Sequence, residues 1–543
     1  MIEPWTSRTG LQIHDLVPAE LRQQWVSRGL CPGRDIYSLF RERVRAHPER
    51  EAVVDDEVNL DYAALDREVR RVAHALAASD LGRRDVVGIR MANGWRLVVA
   101  ELAVAAIGAV ALVYPPGPGR RDTTALLGRS RARAAVFGTA RDADAVSELP
   151  DLRASFTFGA GERGDRSLDT ADPGGTWSPP EVSSRAPARV LVTSGSEGDP
   201  KMVAYSHDAM AGGRANYVRA LHDGSGPMRA VMLMPLSSSY GSCATFVSIA
   251  ALGSTVVLQD RFDAGAALDL VNRQRPTHLF GVPAALRRIA EHPPVPGEDT
   301  SSLRAVVSSS APLSEVAGRA CAERLGAPVI SVYGSSDGMN CHTAATGFGD
   351  GAGTGLPDPS VAEIGVADAR GRWLPPGEPG EVRALGPMTP MSYVAAPELD
   401  ARHRTEGGWV RSGDRGVLDE RGRLHLLGRM DEVVVRGGTN ISPAEVEREI
   451  GAHPGVVDVA CVGVPDDELG ERLCACVSPA TGTDGVEFGE LTAFLERERG
   501  LERRKLPELL VQLPELPLAP TGKVCRRTTR AIAAERSTTQ PGR

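Results

Sequence analysis

The run Val192-Thr193-Ser194-Gly195-Ser196-Glu197-Gly198-Asp199-Pro200-Lys201 gathers hydroxyls, two glycines and a lysine into one short stretch. A loop of this composition can turn backbone N–H groups and hydroxyls toward an anion, and the lysine adds a compact point charge. Its spacing differs from G-x-x-x-x-G-K-[ST], because Met202 stands where that pattern needs a hydroxyl. Taken alone, the loop either binds phosphate or merely turns the chain. Lysine usage favours phosphate. The chain holds 62 Lys+Arg, and the lysines among them are Lys201, Lys505 and Lys523. A lysine kept in so arginine-rich a chain marks a place where a compact ammonium suits and a planar guanidinium does not.

Elements that could position such a loop follow from the hydrophobic pattern. Val190-Leu191-Val192 reads as a buried strand leading into it. Upstream, Ile36, Leu39, Phe40 and Val44 recur at helical spacing after Asp35, and Asp61 can cap a helix carrying Leu65, Val69, Val72, Ala73 and Leu76 on one face. Val53-Val54 and Leu60 suggest a hairpin, Asp85–Arg90 a strand, and Leu102–Tyr114 a helix end, a turn at Gly108 and a strand. The stretch 159–189 is rich in Gly, Pro, Ser and charge, and reads as a surface connection. Val231–Met234, Thr255–Leu258, His278–Val282, Ala305–Val307 and Val329–Val332 are short apolar runs suited to buried parallel strands, whose carboxyl ends are where such sheets bind ligands. From 351 to 387 Gly and Pro are dense, and shorter antiparallel strands are expected. Beyond Gly428 comes a smaller unit: a strand at Glu432–Val435, a helix from Ser442 to Ile450, a strand at Val456–Val464, a helix from Leu491 to Arg499 and a basic tail.

Bulk properties narrow the class. At 543 residues, two or more domains are expected. A net charge of −8 and a pI near 5.9 argue against nucleic-acid binding. The eight cysteines form no CxxC pair, so reduced cytoplasmic thiols are expected rather than a zinc or redox site. No signal-peptide pattern opens the sequence, and its most apolar stretch is too short to span a bilayer, so neither secretion nor membrane insertion is expected.

The chain resembles the adenylate-forming superfamily of acyl-CoA synthetases, aryl-acid ligases and peptide-synthetase adenylation domains, whose motifs occur here in the family order. Residues 193–202 match its Thr-Ser-Gly-Thr-Thr-Gly-x-Pro-Lys-Gly phosphate loop, which implies nucleotide contacts from Thr193, Ser194, Gly195, Ser196, Glu197 and Gly198 and a catalytic role for Lys201. Tyr333-Gly334-Ser335-Ser336-Asp337 matches Tyr-Gly-x-Thr-Glu, which implies Tyr333 and Gly334 against adenine, Ser336 at the α-phosphate and Asp337 as the Mg²⁺ ligand. Ser412-Gly413-Asp414 matches Thr-Gly-Asp, whose aspartate holds the ribose hydroxyls; paired acceptors suit a vicinal diol. Gly428-Arg429-Met430-Asp431 matches Gly-Arg-x-Asp, with Arg429 at the nucleotide and Asp431 the hinge. Leu516-Pro517-Leu518-Ala519-Pro520-Thr521-Gly522-Lys523 matches the motif whose lysine bridges the α-phosphate and the acid. Ser309-Ser310-Ala311-Pro312 matches the segment passing adenine and the acyl pocket, giving Ser309 to the acid and Ser310, Ala311 and Pro312 to the nucleotide; Ser237, Ser238, Ser239 and Gly241 match further acyl-pocket positions. Val435-Arg436-Gly437-Gly438 resembles the CoA-ligase segment where the pantetheine tunnel passes a glycine pair at 437 and 438.

The resemblance implies an α/β fold with a large multi-sheet N-terminal domain, 1–428, and a small mobile α+β C-terminal domain, 429–543. It implies an acid–thiol ligase that forms an acyl-adenylate from a carboxylic acid and ATP with Mg²⁺, then passes the acyl group to coenzyme A. The N-terminal part, including Leu21-Arg22-Gln23-Gln24-Trp25, is more like stand-alone ligases that load carrier proteins. A carrier-protein thiol, a luciferase-type oxygenase and a non-catalytic nucleotide-binding scaffold are the other readings. Three departures bear on activity. Glu197 replaces a loop threonine, Asp337 replaces a glutamate, and Ser238-Ser239 replace the His-Asn of ligases for ortho-hydroxybenzoates, so salicylate is not expected. The small acyl-pocket residues imply a bulky, mostly apolar acid, and the overall texture of the chain, which resembles actinobacterial secondary metabolism, points to a polycyclic terpenoid acid of the platensimycin-pathway type. Glu197 and Asp337 imply weakened or lost adenylation, with acyl-AMP supplied by a separate adenylating enzyme, whereas retained Lys201 and Lys523, with Glu197 turned outward to solvent, imply a complete ligase.

Overall fold

The structure, a computed structural model, describes residues 3–116, 119–144, 146, 149–159, 167–193, 200–349, 351–480, 485–519 and 523–539. The expected helix starts form as their caps dictate. Asp35 accepts from the Ser38 N–H at 2.9 Å to open Ile36–Ala46, and Asp61 accepts from the Ala64 N–H at 2.6 Å to open Tyr62–Ala78. Leu65, Val69, Val72, Ala73 and Leu76 then lie fully buried on one face. Trp95–Ala106 is a helix apolar enough to be buried nearly all round.

Among the described residues these helices pack between two large sheets. The first has six strands in the order Lys201–Ser206, Pro187–Thr193, Val110–Tyr114, Val86–Arg90, Ala134–Phe137 and Ala154–Thr157. All neighbours are parallel except the hairpin of Pro187–Thr193 with Lys201–Ser206. The second has nine strands, with a parallel centre running Val329–Gly334, Ala305–Ser308, His278–Gly281, Arg229–Met232, Thr255–Leu258 and Glu51–Val54. The apolar runs expected as buried strands are these central ones. Covered on both faces, they need no polar alternation. One core joins side chains of both sheets to the helices between them, Ile89, Met232 and Val307 included. The Gly- and Pro-rich region gives, as expected, a four-stranded antiparallel sheet of Glu363–Ala367, Gly380–Leu385, Val410–Leu418 and Leu424–Arg429.

The C-terminal unit is a five-stranded sheet carrying the helices Pro443–Ile450 and Phe488–Arg497. Its long strand Gly470–Pro479, which holds Cys474 and Cys476, has no counterpart in the sequence reading. The basic tail is a correction too. It closes as the helix Arg526–Thr539, with Ala533 fully buried in one cluster with Val462, Val464, Cys474 and Val511. A few small apolar residues suffice to dock a helix that is otherwise charged. The mixed α/β class, with a large N-terminal and a smaller C-terminal domain, is the expected one.

Candidate active site

The candidate residues converge because they sit at strand ends. Thr193 ends its strand, and the turn after Arg229–Met232, the segment after Ala305–Ser308 and the loop after Val329–Gly334 all leave the carboxyl ends of parallel strands. Ser194, Gly195, Ser196, Glu197 and Gly198 lie outside the described residues. Thr193 pairs with Lys201 across the hairpin, so both ends of the phosphate loop are fixed.

Three of the expected nucleotide residues, Tyr333, Asp414 and Arg429, form one cluster. The Tyr333 hydroxyl donates to Asp414 Oδ2, and Arg429 Nη1 donates to Asp414 Oδ1 at 3.2 Å. Arg429 Nε reaches Asp431 at 3.1 Å, so one guanidinium joins the expected ribose ligand to the expected hinge. Register places it there: Asp414 and Arg429 are cross-strand partners. Burial alone would raise Asp431, but the guanidinium of Arg429 brings its carboxyl below the ordinary range. Lys523 comes from the C-terminal unit, where the Ala519 N–H donates to its carbonyl at 2.7 Å. The residue is exposed, yet the protein around it desolvates the ammonium enough to pull it below the lysine range; Asp414 opposes that shift and Arg429 adds to it. Ion pairs Arg287–Asp458 at 2.7 Å and Arg288–Glu515 at 3.1 Å join the two units in this arrangement.

A second cluster surrounds Ser336 and Asp337. The Tyr205 hydroxyl donates to the Ser336 carbonyl at 2.8 Å, and the Tyr393 hydroxyl donates to Asp337 Oδ1 at 2.5 Å. Asp337 acts on both His403 and Arg404, and Lys201 on His403. Arg404 Nη2 donates to the Pro390 carbonyl at 3.1 Å, while its buried Nε and Nη1 have no partner among the described residues. No group of three or more metal-ligating side chains occurs among the described residues. Mg²⁺ commonly binds through one or two carboxylates plus substrate phosphates, so one carboxylate, Asp337, fits it only together with a triphosphate.

The acyl-pocket turn is shaped by its own chain. Ser238 Oγ donates to the Pro235 carbonyl at 2.7 Å and accepts from the Gly241 N–H at 2.9 Å, and Ser309 Oγ donates to the Val332 carbonyl at 2.9 Å. Gly241 does not leave room for an acid: a Cβ there would stand 2.0 Å from the Pro235 carbonyl oxygen. Gly334 and Ser239 stay at least partly exposed, and Ser237 is buried. Two buried arginines hold the turn from beneath. Arg189 Nη2 donates to the Leu236 carbonyl at 2.8 Å while Nη1 pairs with Glu101, also at 2.8 Å. Arg214 Nη1 donates to the Ser239 carbonyl at 2.9 Å and Ser242 Oγ at 3.0 Å, and Nη2 to Ser239 Oγ at 3.2 Å and the Tyr205 hydroxyl at 3.3 Å. Burial pushes Glu101 up and Arg189 down, each countered by the other, and Arg214 further depresses Arg189.

Beside this turn Ser310, a non-glycine residue, has φ of +81°. The left-handed region costs such a residue about 1–2 kcal/mol, and strain of this kind gathers at ligand-binding segments. Ser310→Gly should therefore stabilise the protein by about 0.5 kcal/mol, the relief being partly offset by the freer unfolded chain. A higher urea midpoint at unchanged slope would show it; a lower midpoint would refute strain at 310. Ala311 and Pro312 follow at the surface. In the C-terminal unit Gly437 and Gly438 both have positive φ, +52° and +81°, and nothing lies within 4 Å of a Cβ at 438, so backbone is open to a passing chain there.

Sequence reasoning missed Arg214, Arg189, Tyr205, Tyr393 and Arg404. The available signal was the arginine inside the small apolar run Ala209–Ala215, which forms a π-helical turn, a feature often found at functional sites.

Residues 40–394 match the family described as AMP-binding enzyme, and 445–523 match the AMP-binding enzyme C-terminal domain. The chain is 32% identical to triostin synthetase I of Streptomyces triostinicus, over 95% of this chain and 98% of that protein. It is 29% identical to the 2-hydroxy-7-methoxy-5-methyl-1-naphthoate–CoA ligase of Streptomyces carzinostaticus, over 96% and 97%. Among solved structures, the amide bond synthetase McbA of Marinactinospora thermotolerans superposes with a TM-score of 0.79 at 31% identity, covering 92% of this chain and 99% of the other.

Proposed function

The chain belongs to the AMP-binding enzyme family, the adenylate-forming acid–thiol ligases, and from that premise we propose that it passes an acyl group from an acyl-adenylate to coenzyme A. The observation that carries this reading is the meeting of Tyr333, Asp414, Arg429 and Lys523 in one cluster that takes residues from both units. Asp414 offers acceptors to a ribose diol, Tyr333 a face to adenine, and Lys523 a positive charge to the α-phosphate. In the first half-reaction a carboxylate oxygen attacks the α-phosphorus of ATP and pyrophosphate leaves. In the second, a thiolate attacks the acyl carbonyl and AMP leaves. The residues contribute position and fixed charge, with Lys201 and Lys523 as the cations. Mg²⁺, when bound with ATP at Asp337, would neutralise phosphate charge.

CoA is favoured over a carrier-protein thiol by the open backbone at Gly438 and by the naphthoate–CoA ligase among the relatives. The domain boundary falls after Gly428, with Asp431 as the pivot of the C-terminal unit. Bulky acids are favoured by Ser239, Ser309 and Gly334; Gly241 adds no volume. A cytoplasmic location is supported by eight free cysteines. No helix among the described residues is long and apolar enough to cross a membrane.

Adenylation by this chain is weak, and a separate enzyme supplies the adenylate. Glu197 occupies a phosphate-loop position, and a carboxylate about 5 Å from one phosphate charge costs roughly 3 kcal/mol at an effective dielectric near 20. An acyl-adenylate has no β- or γ-phosphate and escapes that cost. Asp337 has the shorter arm, and one of its oxygens already takes the Tyr393 hydroxyl. ATP–pyrophosphate exchange should be near background for the native protein and should rise by about a hundredfold in Glu197→Thr. Robust exchange by the native protein would refute weak adenylation.

A further inference from the structure

Arg214 is a buried cation with no carboxylate in ion-pair reach among the described residues. Its residue is 3% exposed, its four hydrogen bonds go to neutral oxygens, and Nε has no partner among the described residues. Its guanidinium carbon lies 4.7 Å from the centre of the Tyr205 ring, and the groups acting most strongly on its charge are Tyr205, Tyr217 and Cys243, all held neutral by burial. The neighbouring ion pair does not help, since Glu101 serves Arg189. Among the described residues beneath the expected acyl-pocket turn there are thus two guanidinium charges and one carboxylate. A buried charge left so is costly unless something completes it.

Ser239 shows where completion can occur. Its Oγ accepts from Arg214 Nη2, which spends a lone pair and leaves the hydroxyl proton without an acceptor among the described residues. Ser238, Ser242 and Ser309 have each spent theirs on a carbonyl. Ser239 is also partly exposed, unlike Ser237 and Ser242. A hydroxyl polarised by a guanidinium behind it is a strengthened donor, and on the reading of this turn as a pocket wall it is available to the pocket's occupant. The Tyr205 hydroxyl links the same guanidinium to the Ser336 carbonyl, so this donor is braced against the catalytic loop.

We propose that the acid carries a second oxyanion, remote from its reacting carboxylate, which accepts from Ser239 Oγ–H and neutralises Arg214. This rests on the reading of the 237–241 turn as a wall of the acyl pocket, and it replaces a mostly apolar acid with one that is apolar in body and anionic at its far end.

Calorimetric binding to the full chain tests it, with phthalate, isophthalate and terephthalate as probes, each against its monomethyl ester and against benzoate. At least one diacid should bind about tenfold or more tightly than its ester and than benzoate, the worth of a hydrogen bond to a charged group. Ser239→Ala and Arg214→Met should each erase that preference, and Arg214→Met should melt no lower than the native protein. Equal binding of diacid and ester, no binding of any diacid, or a preference that survives both variants would overturn the proposal. If Arg214→Met does not fold, Ser239→Ala decides alone. Thioester formation from benzoyl-adenylate and CoA is scored separately: its failure alongside an intact diacid preference would count against the functional reading and not against the second oxyanion.

Discussion

Asp431→Pro should separate the two half-reactions. We expect thioester formation from a supplied acyl-adenylate to fall about a hundredfold or more, a barrier rise of roughly 3 kcal/mol, while the small ATP–pyrophosphate exchange stays within a few-fold of native. The reason is geometric. Lys523 already stands beside Asp414 and Arg429, with the ion pairs Arg287–Asp458 and Arg288–Glu515 across the two units, so this arrangement serves the α-phosphate. Bringing Gly437 and Gly438 to the acyl carbonyl requires the C-terminal unit to turn. Turns of that kind are absorbed by the φ and ψ of a few residues at a segment end, and proline fixes φ near −65°. Asp431 lies just past the strand Leu424–Arg429, its carboxylate paired with Arg429. Asp431→Ala separates the ion pair from the torsion: it should cost much less. Equal loss of both half-reactions in the proline variant would argue against a pivot at 431.

Glu101→Leu should cost about 3–5 kcal/mol of stability, because it leaves Arg189 charged and unpaired in the core. Both side chains are at most 1% exposed, and arginine cannot shed its proton to escape. The double variant Glu101→Leu with Arg189→Met should recover most of that loss, since an apolar pair of similar volume avoids the desolvation penalty. Denaturant midpoints measure both. The recovered protein should still be impaired in acid binding, because Arg189 Nη2 also holds the Leu236 carbonyl at the start of the pocket turn. A single variant as stable as native would mean that water or another group reaches Arg189.

Local signals were legible in the sequence. Asp35 and Asp61 cap the helices they precede, and the apolar runs between 231 and 332 are the central strands, because caps and hydrophobic runs act within a few residues. The meeting of Tyr333, Asp414 and Arg429 was legible only through ordered motifs, since more than eighty positions separate the first two. What stayed hidden is long-range pairing. The small apolar run around Arg214 sets it apart locally but does not tell what it pairs with, and nothing local tells that the Tyr205 hydroxyl reaches Ser336 from a different sheet. Gly241 misled for the same reason: a missing side chain looks the same in sequence whether a substrate or the chain's own carbonyl fills the space. The C-terminal helix escaped notice because its docking rests on a few residues, Thr529, Ile532, Ala533 and Ala534, among charged neighbours.

Scarcity of lysine makes the chemistry of this protein unusually readable by covalent means. Besides the chain terminus, three amines exist, and Lys505 is occupied by a 2.7 Å ion pair with Glu445. An acylating reagent at neutral pH therefore meets two open targets, both of them lysines of the proposed nucleotide site. Of these, Lys523 holds its proton less firmly than an ordinary lysine and so exposes more of the nucleophilic free amine. Mass shifts on a single peptide would then follow, in the intact enzyme and in real time, whether the C-terminal lysine is buried against a nucleotide or swung out into water.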